Sequence, residues 1–354
     1  MKTYRLAVIP GDGVGKEVVP EGLKALRRAG EVTGALGIET ADYPWSCEWY
    51  LEHGEMMPSD GLDRLRDADA IYLGAVGFPG VPDHVSLWGL LLPIRQGFDQ
   101  YVNLRPVALF EGIEGPLRDR GPADIDILFV RENTEGEYVG LGGRFRVGQP
   151  EEVAVQTGLF TRRGVERVAR YAFERARERR RELASATKSN ALNFSMVFWD
   201  EVIAEVGRDY PDVELTSYHV DALAARMVTA PGTLDVVVAS NLFGDILTDL
   251  GGALQGSLGL PAGANLNPER RYPSMFEPIH GSAPRRAGQG VANPMAAIWA
   301  GAMLLEHLGE TEAAGLIMAA LRHVAKHGPR TKDLGGTART AEVGDAIVAA
   351  MGRG

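Results

Sequence analysis

The sequence predicts an α/β protein of two lobes built largely on parallel sheet, on three observations. Short apolar and β-branched runs alternate with longer stretches of helical periodicity. One run, Leu234-Asp235-Val236-Val237-Val238-Ala239-Ser240, is nearly all apolar, as a strand covered on both faces must be. At 354 residues the chain exceeds what one simple core holds, so two lobes follow.

Taken in order, strands are expected at Leu6–Ile9, Ala70–Val76, Ile125–Val130, Val213–Val220 and Leu234–Ser240. Helices are expected at Lys16–Ala29, Val165–Leu183 and Ser195–Val206. Residues 137–160 break the alternation. Gly140, Gly142, Gly143 and Gly148 precede the alternating Glu152–Thr157, a pattern of strands and turns that reads as a hairpin. It fits either a surface loop or a dimerisation arm. The basic run Arg175–Arg181 is interleaved with Glu174, Glu178 and Glu182 and reads as the solvated face of a helix. No internal repeat or low-complexity linker is visible.

A net charge of −10 disfavours nucleic-acid and anionic-membrane partners, so an anionic ligand would need a local cluster of cations. Cys47 is the single cysteine, which excludes an internal disulfide or a thiolate metal site. No apolar run reaches membrane-spanning length, and no signal-like segment precedes Arg5–Ile9, so a cytoplasmic location is expected. The 7 histidines are scattered and no GxSxG elbow occurs, which leaves a zinc or nucleophile-triad enzyme without support.

Asp245 and Asp249 carry the strongest chemical signal. Four residues apart, they share one face of a helix, and no Lys or Arg lies between Met227 and Glu269 to relieve them. Hard oxygen donors with apolar neighbours suit a divalent cation, although two solvated aspartates would show the same spacing. Arg95, Arg105 and Arg131 each lie in or beside apolar sequence, where a guanidinium needs an anion. Together they fit a dicarboxylate; singly, each fits a structural Asp or Glu. Tyr138 and Lys188 are candidates for proton transfer, Lys188 if neighbouring cations lower its pKa. Pro10–Glu17 resembles a phosphate loop but lacks its first Gly and its Ser/Thr, and it is no GxGxxG fingerprint. His280-Gly281-Ser282-Ala283-Pro284 is a loop of small residues that admits close backbone approach to a flat or phosphorylated ligand.

These segments in this order resemble the β-decarboxylating dehydrogenases, the family of isocitrate, isopropylmalate, homoisocitrate and tartrate/D-malate enzymes. The resemblance is carried by Ile9–Gly15, Asn103-Leu104-Arg105-Pro106, Arg131–Tyr138, Lys188-Ser189-Asn190, Ser240–Asp249, Glu277–Pro284 and Ala292-Asn293-Pro294. It implies a non-Rossmann two-domain fold with the active site in the interdomain cleft. Residues 1–100 and 256–354 would form a large cofactor-binding domain, and 101–255 a small one with the dimer interface and an arm at 137–160. It implies Mg²⁺ or Mn²⁺ on Asp245, Asp249 and the Asp221 of a second subunit. Substrate carboxylates would fall to Arg95, Arg105 and Arg131, and proton transfers to Tyr138 and a partner's Lys188. NAD or NADP would lie along Glu277, His280, Gly281, Ser282, Ala283, Arg285 and Asn293.

The stretches Val81–Gly89, Phe98–Asn103, Trp45–Glu48 and Ser185–Lys188 look like the tartrate/D-malate branch. Gly89 and Leu91 stand where bacterial isocitrate enzymes carry Ser and Asn, which disfavours isocitrate. Leu91 also suits an isopropylmalate enzyme, so that alternative stays open, as does a non-catalytic regulatory subunit of the same fold. Such a subunit should lack part of the lysine, tyrosine and aspartate set, which this chain carries whole. NAD-using members carry Asp where this chain has Arg285, so the resemblance points toward NADP.

Overall fold

The computed structural model describes residues 2–352. It divides into two compact units, one holding the chain up to Gln100, Ala108–Pro122 and the chain from Gly252, the other Tyr101–Val107 and Ala123–Gly251. Residues 108–122 and 252–255, expected in the smaller domain, fall in the first unit.

In the first unit the strands are β1 (Lys2–Gly11), β2 (Leu36–Asp42), β3 (Ala70–Ala75), β11 (Ala262–Leu266) and β12 (Ser274–Pro278), side by side in the order β2-β1-β3-β12-β11. All pairs but β11–β12 are parallel. β3 is buried along its whole length, which is why Ala70–Ala75 reads as an unbroken apolar run. Helix Gly15–Thr33 buries one face and stops where Gly34 turns left-handed. Pro93 follows a widened turn, Leu87–Leu91, in which the Leu92 N–H reaches back to the Leu87 carbonyl. That five-residue step makes room for a ring with no N–H to donate.

The second unit carries β4 (Val102–Ala108), β5 (Asp126–Glu132), β8 (Glu182–Thr187), β9 (Glu214–His219) and β10 (Val236–Ala239) in the order β4-β5-β10-β8-β9. The β5–β10, β10–β8 and β8–β9 pairs are parallel. A separate antiparallel pair, β6 (Gly136–Phe145) and β7 (Val153–Leu159), is the hairpin expected between 137 and 160. Leu141, Phe145, Val153 and Val155 on it are exposed.

The basic run corrects the sequence reading. The helix is Arg162–Arg177, not Val165–Leu183, and Arg181 takes a left-handed φ of 63° just before β8. Arg175 and Arg177 are indeed solvated pairs with Glu178 and Asp212. Arg179 and Arg180 instead hold buried Asp235, through Nε at 2.6 Å and a backbone N–H at 2.8 Å. A buried aspartate at the foot of an apolar strand needs such partners.

Candidate active site

Within the second unit the chemistry-bearing residues gather at the carboxyl ends of parallel strands, the usual place for a ligand in an α/β sheet. Arg131 lies at the end of β5, Lys188 just past β8, Asp221 just past β9, and helix Asn241–Leu254 follows β10. Arg131 is 1% exposed. Its Nη1 donates to Asp245 Oδ1 at 2.5 Å, and its Nε and Nη2 donate to Asn241 Oδ1 at 3.1 and 2.6 Å. Arg105 Nη1 lies 3.4 Å from the same Asp245 oxygen and donates to Thr248 at 2.6 Å. The Tyr138 hydroxyl donates to Asp245 Oδ2 at 2.9 Å. Asp245 thus gathers Arg105, Arg131 and Tyr138 around one carboxylate.

The close approach depends on Gly244. A methyl group there would lie 2.5 Å from Arg131 Cγ, so a larger residue would push the helix off the arginine. The turn ahead of Tyr138 is fixed by the buried Glu132 carboxylate, which accepts the Thr134 and Glu135 N–H groups.

Electrostatics follows from burial and charge. Burial, then the Asp245 carboxylate, pushes the Tyr138 hydroxyl up to about 12. Asp249 is pushed above its ordinary value by burial and then by Asp245, with Arg105 and Arg131 opposing. Lys188 Nζ donates to Asp221 Oδ1 at 2.6 Å, and that bond holds Asp221 below the usual carboxylate range. The neighbouring cations expected for Lys188 are therefore replaced by an anion. Among the described residues no three His, Cys, Asp or Glu side chains come together as a cation cage. Asp245 and Asp249, hard oxygen donors one turn apart, fit two positions of a Mg²⁺ or Mn²⁺ shell, while the exposed Asp221 belongs to the Lys188 pair.

The first unit brings together other expected residues. Arg95 and Glu277, assigned from sequence to substrate and cofactor respectively, pair with one another at 2.9 Å, both buried, and Asn265 donates to the same Glu277 oxygen at 2.7 Å. A cavity of about 620 Å³ is lined by Val14, Gly259, His280, Ala283, Arg286 and Asn293, among others. Small residues and the imidazole of His280, whose pKa burial lowers, suit a flat heteroaromatic ring. Gly281 also lines it. Ser282 instead anchors the loop, its carbonyl accepting from the Val14 N–H at 2.8 Å. Gly13, at φ 54°, packs so tightly on that carbonyl that a methyl group would lie 2.1 Å away. The glycine-rich turn therefore seats the His280 loop. Arg285 is exposed in the Pro284–Arg286 turn, and Arg286 is the arginine on the cavity wall.

Three residues on these sites escaped the sequence reading. Asn241 and Thr248 hold Arg131 and Arg105, and Asp333 accepts from Asn293 Nδ2 at 3.0 Å beside the cavity. Asn241 and Thr248 stand in the Ser240–Asp249 motif, but their partners are distant in sequence. Asp12, in the first motif, is fully buried and accepts the N–H groups of Cys47 and Gly77 at 3.0 Å each. Gly89 also has a packing role. A methyl group there would lie 2.6 Å from Met56 Cγ, so packing requires the glycine, and Leu91 packs on the same core.

Residues 5–347 match the isocitrate/isopropylmalate dehydrogenase family. The chain belongs to it. Relatives in the family include the decarboxylating D-malate dehydrogenase of Escherichia coli, 55% identical over 98% of both chains. A probable tartrate dehydrogenase/decarboxylase of Agrobacterium vitis is 52% identical over 99% of this chain and 98% of its own length. The tartrate dehydrogenase/decarboxylase of Pseudomonas putida is 49% identical, covering 99% and 98%. Among solved structures, isocitrate dehydrogenase from Methylococcus capsulatus superposes with a TM-score of 0.87 at 36% identity, covering 98% and 99%. As a member of this family the chain is an oxidoreductase acting on a CH–OH group.

Proposed function

We propose that the chain carries out metal-dependent oxidative decarboxylation of a small 2-hydroxy dicarboxylate, D-malate to pyruvate and CO₂ or the corresponding reaction of tartrate. The observation that carries this reading is the meeting of Arg131, Arg105 and Tyr138 on Asp245, with Asp249 one turn on. It supplies carboxylate-gripping forks, a hydroxyl that holds its proton at neutral pH, and two oxygen donors for a dication. The kinship with D-malate and tartrate enzymes across the whole chain supports the substrate class.

Asp245 and Asp249 would hold the dication, which would supply Lewis-acid polarisation of the C2 hydroxyl, and a nicotinamide would supply the acceptor for the C2 hydride. Arg105 and Arg131 hold substrate carboxylates bidentately. Lys188, after releasing a proton to solvent, takes the hydroxyl proton, and the Asp221 carboxylate at 2.6 Å balances the charge it regains. Oxidation at C2 leaves a ketone β to the remaining carboxylate, so CO₂ departs and its electron pair stays at C3. Tyr138 delivers a proton to that carbon. Because its pKa stands at about 12, it keeps the proton until a strongly basic carbon forms.

Lys188 and Asp221 complete the site of a second subunit in a homodimer, with the β6–β7 hairpin as the arm between them. The cavity beside His280 would hold NAD or NADP. Arg286 on its wall and the neighbouring exposed Arg285 favour NADP, since one charge-assisted phosphate bond contributes about 1.5–3 kcal/mol, tenfold or more in preference. The unpaired buried Cys47 agrees with a reducing cytoplasm. A steady-state panel of D-malate, tartrate, isopropylmalate and isocitrate, each with NAD and NADP and Mn²⁺, tests the reading. D-malate or tartrate should lead by a large factor, and a preference for isopropylmalate or isocitrate would overturn it. Arg285→Asp and Arg286→Asp should each lower kcat/KM with NADP selectively.

A further inference from the structure

We propose that Asn241 is a positioning residue that couples the carboxylate grip of Arg131 to the placement of Tyr138. The inference rests on the function proposed above. Asn241 is 1% exposed and opens helix Asn241–Leu254. A guanidinium only donates and a carbonyl only accepts, so the amide can be set in one way. Its Oδ1 takes Arg131 Nε at 3.1 Å and Nη2 at 2.6 Å, and its Nδ2 donates to the Glu135 carbonyl at 3.0 Å.

Each half of that amide has a separate consequence. The oxygen fixes one edge of the guanidinium and aims Nη1 the other way, toward Asp245 at 2.5 Å. A neutral oxygen does this without cancelling the positive charge, which an arginine needs if it is to bind an anionic substrate. A carboxylate in the same place would form an ion pair and compete with the substrate. The amide nitrogen holds the backbone at Glu135, where Gly136 turns the chain with a φ of 74° into β6. Tyr138 follows two residues later. The same turn is tied from its far side, since the Glu135 carboxylate accepts the Thr161 N–H at 2.8 Å and its hydroxyl at 2.6 Å. Asp245 touches both Arg131 and Tyr138, but the proposed function commits it to the dication. Asn241 is then the fixed link between Arg131 and the turn that leads to Tyr138.

The two halves can be separated by mutation. Asn241→Asp keeps the acceptor for Arg131, loses the donor to Glu135 and adds charge. Asn241→Ser and Asn241→Ala shorten or remove the amide without adding charge. The readouts are the inhibition constant of succinate, a dicarboxylate that cannot react, together with kcat, KM and Tm. In Asn241→Asp, succinate affinity and 1/KM should fall about tenfold or more, the weight of one charged contact. In Asn241→Ala, kcat should fall about tenfold, and the loss should shrink when Tyr138→Phe is already present, because both act on one proton transfer. Variants that lose Tm alone, with kcat, KM and succinate affinity at wild-type values, overturn the proposal; Asn241→Ser serves this comparison if the alanine variant does not fold. Arg131→Lys is run in parallel. If it binds succinate weakly while the Asn241 variants behave as wild type, the coupling is wrong and the site reading stands. If Arg131→Lys binds succinate as wild type does, the site reading fails and the proposal falls with it.

Discussion

Asp249 shows how a single carboxylate registers its surroundings. Burial and the nearby Asp245 both raise its pKa, so its ionised form is a cost to the metal-free fold at neutral pH. Asp249→Asn removes that cost, and its Tm in a chelating buffer should equal or exceed that of wild type. Turnover should fall by at least about two orders of magnitude, since several kcal/mol of charge stabilisation depend on the dication. Mn²⁺ should raise the wild-type Tm and leave the variant's unmoved; a calorimetric scan with and without metal checks this. Tyr138 and Lys188 separate in the same manner. Tyr138→Phe should impair overall decarboxylation more than reduction of an added 2-keto dicarboxylate, whereas Lys188→Met should impair both, as stopped-flow absorbance of the nicotinamide would show. His307 gives the pH dependence. Burial, and secondarily Arg270, lowers its pKa to about 4, and its Nε2 lies 3.0 Å from the Ser274 hydroxyl. That hydroxyl also accepts the Asn267 N–H at 3.0 Å and keeps its own proton free to donate to a neutral ring. A folded-state pKa below the unfolded 6.5 means the unfolded chain binds the proton more tightly. Stability is therefore full above pH 6.5 and declines as pH falls toward 4, by on the order of 3 kcal/mol. His307→Gln should flatten that limb of a Tm-against-pH curve.

Helix Asn241–Leu254 is the element on which the site turns. Its i, i+4 spacing puts Asn241, Asp245 and Asp249 along one stripe, with Gly244 set against the Arg131 side chain. Gly244→Ala adds good helix propensity and should nonetheless cut kcat/KM by up to about 100-fold, the penalty for a misplacement near 1 Å. A small change in Tm with that loss would place the effect in geometry rather than folding. The turn before Leu92–Gly97 makes the complementary case. Pro93 is visible in sequence as a helix disruptor, but the chain answers it with a widened turn rather than a break. Gly89 within that turn is held by Met56, so its absence of side chain speaks first of packing and only then of substrate size.

At the scale of the whole molecule, the proposal that Lys188 and Asp221, paired at 2.6 Å, complete the site of a second subunit makes a direct prediction. Mixing inactive Lys188→Met and Asp249→Asn subunits after reversible dissociation tests it. A shared site would be rebuilt once in every mixed dimer, restoring about a quarter of wild-type activity if exchange is random. No recovery despite exchange, followed by mass spectrometry, would show that each chain completes its own site. The described residues include no helix long and apolar enough to cross a membrane.

The sequence by itself determined the fold class and the identities of the chemistry-bearing residues, because apolar periodicity and motif order are local properties of the chain. It placed β3, β5 and β10 near their observed positions, since strands buried on both faces write continuous apolar runs. It misjudged the Arg179–Arg181 turn, because the partner that ends the helix, Asp235, lies more than fifty residues away. It named Arg131, Tyr138 and Asp245 as separate candidates, each with a plainer role. Only the tertiary structure decided that they share one carboxylate, that Arg95 faces Glu277, that Arg286 lines the cavity, and that Asn241 sets the arginine. The reason is common to all of these. Convergence is a property of side chains from several strand ends meeting in space, and no spacing along one segment encodes it.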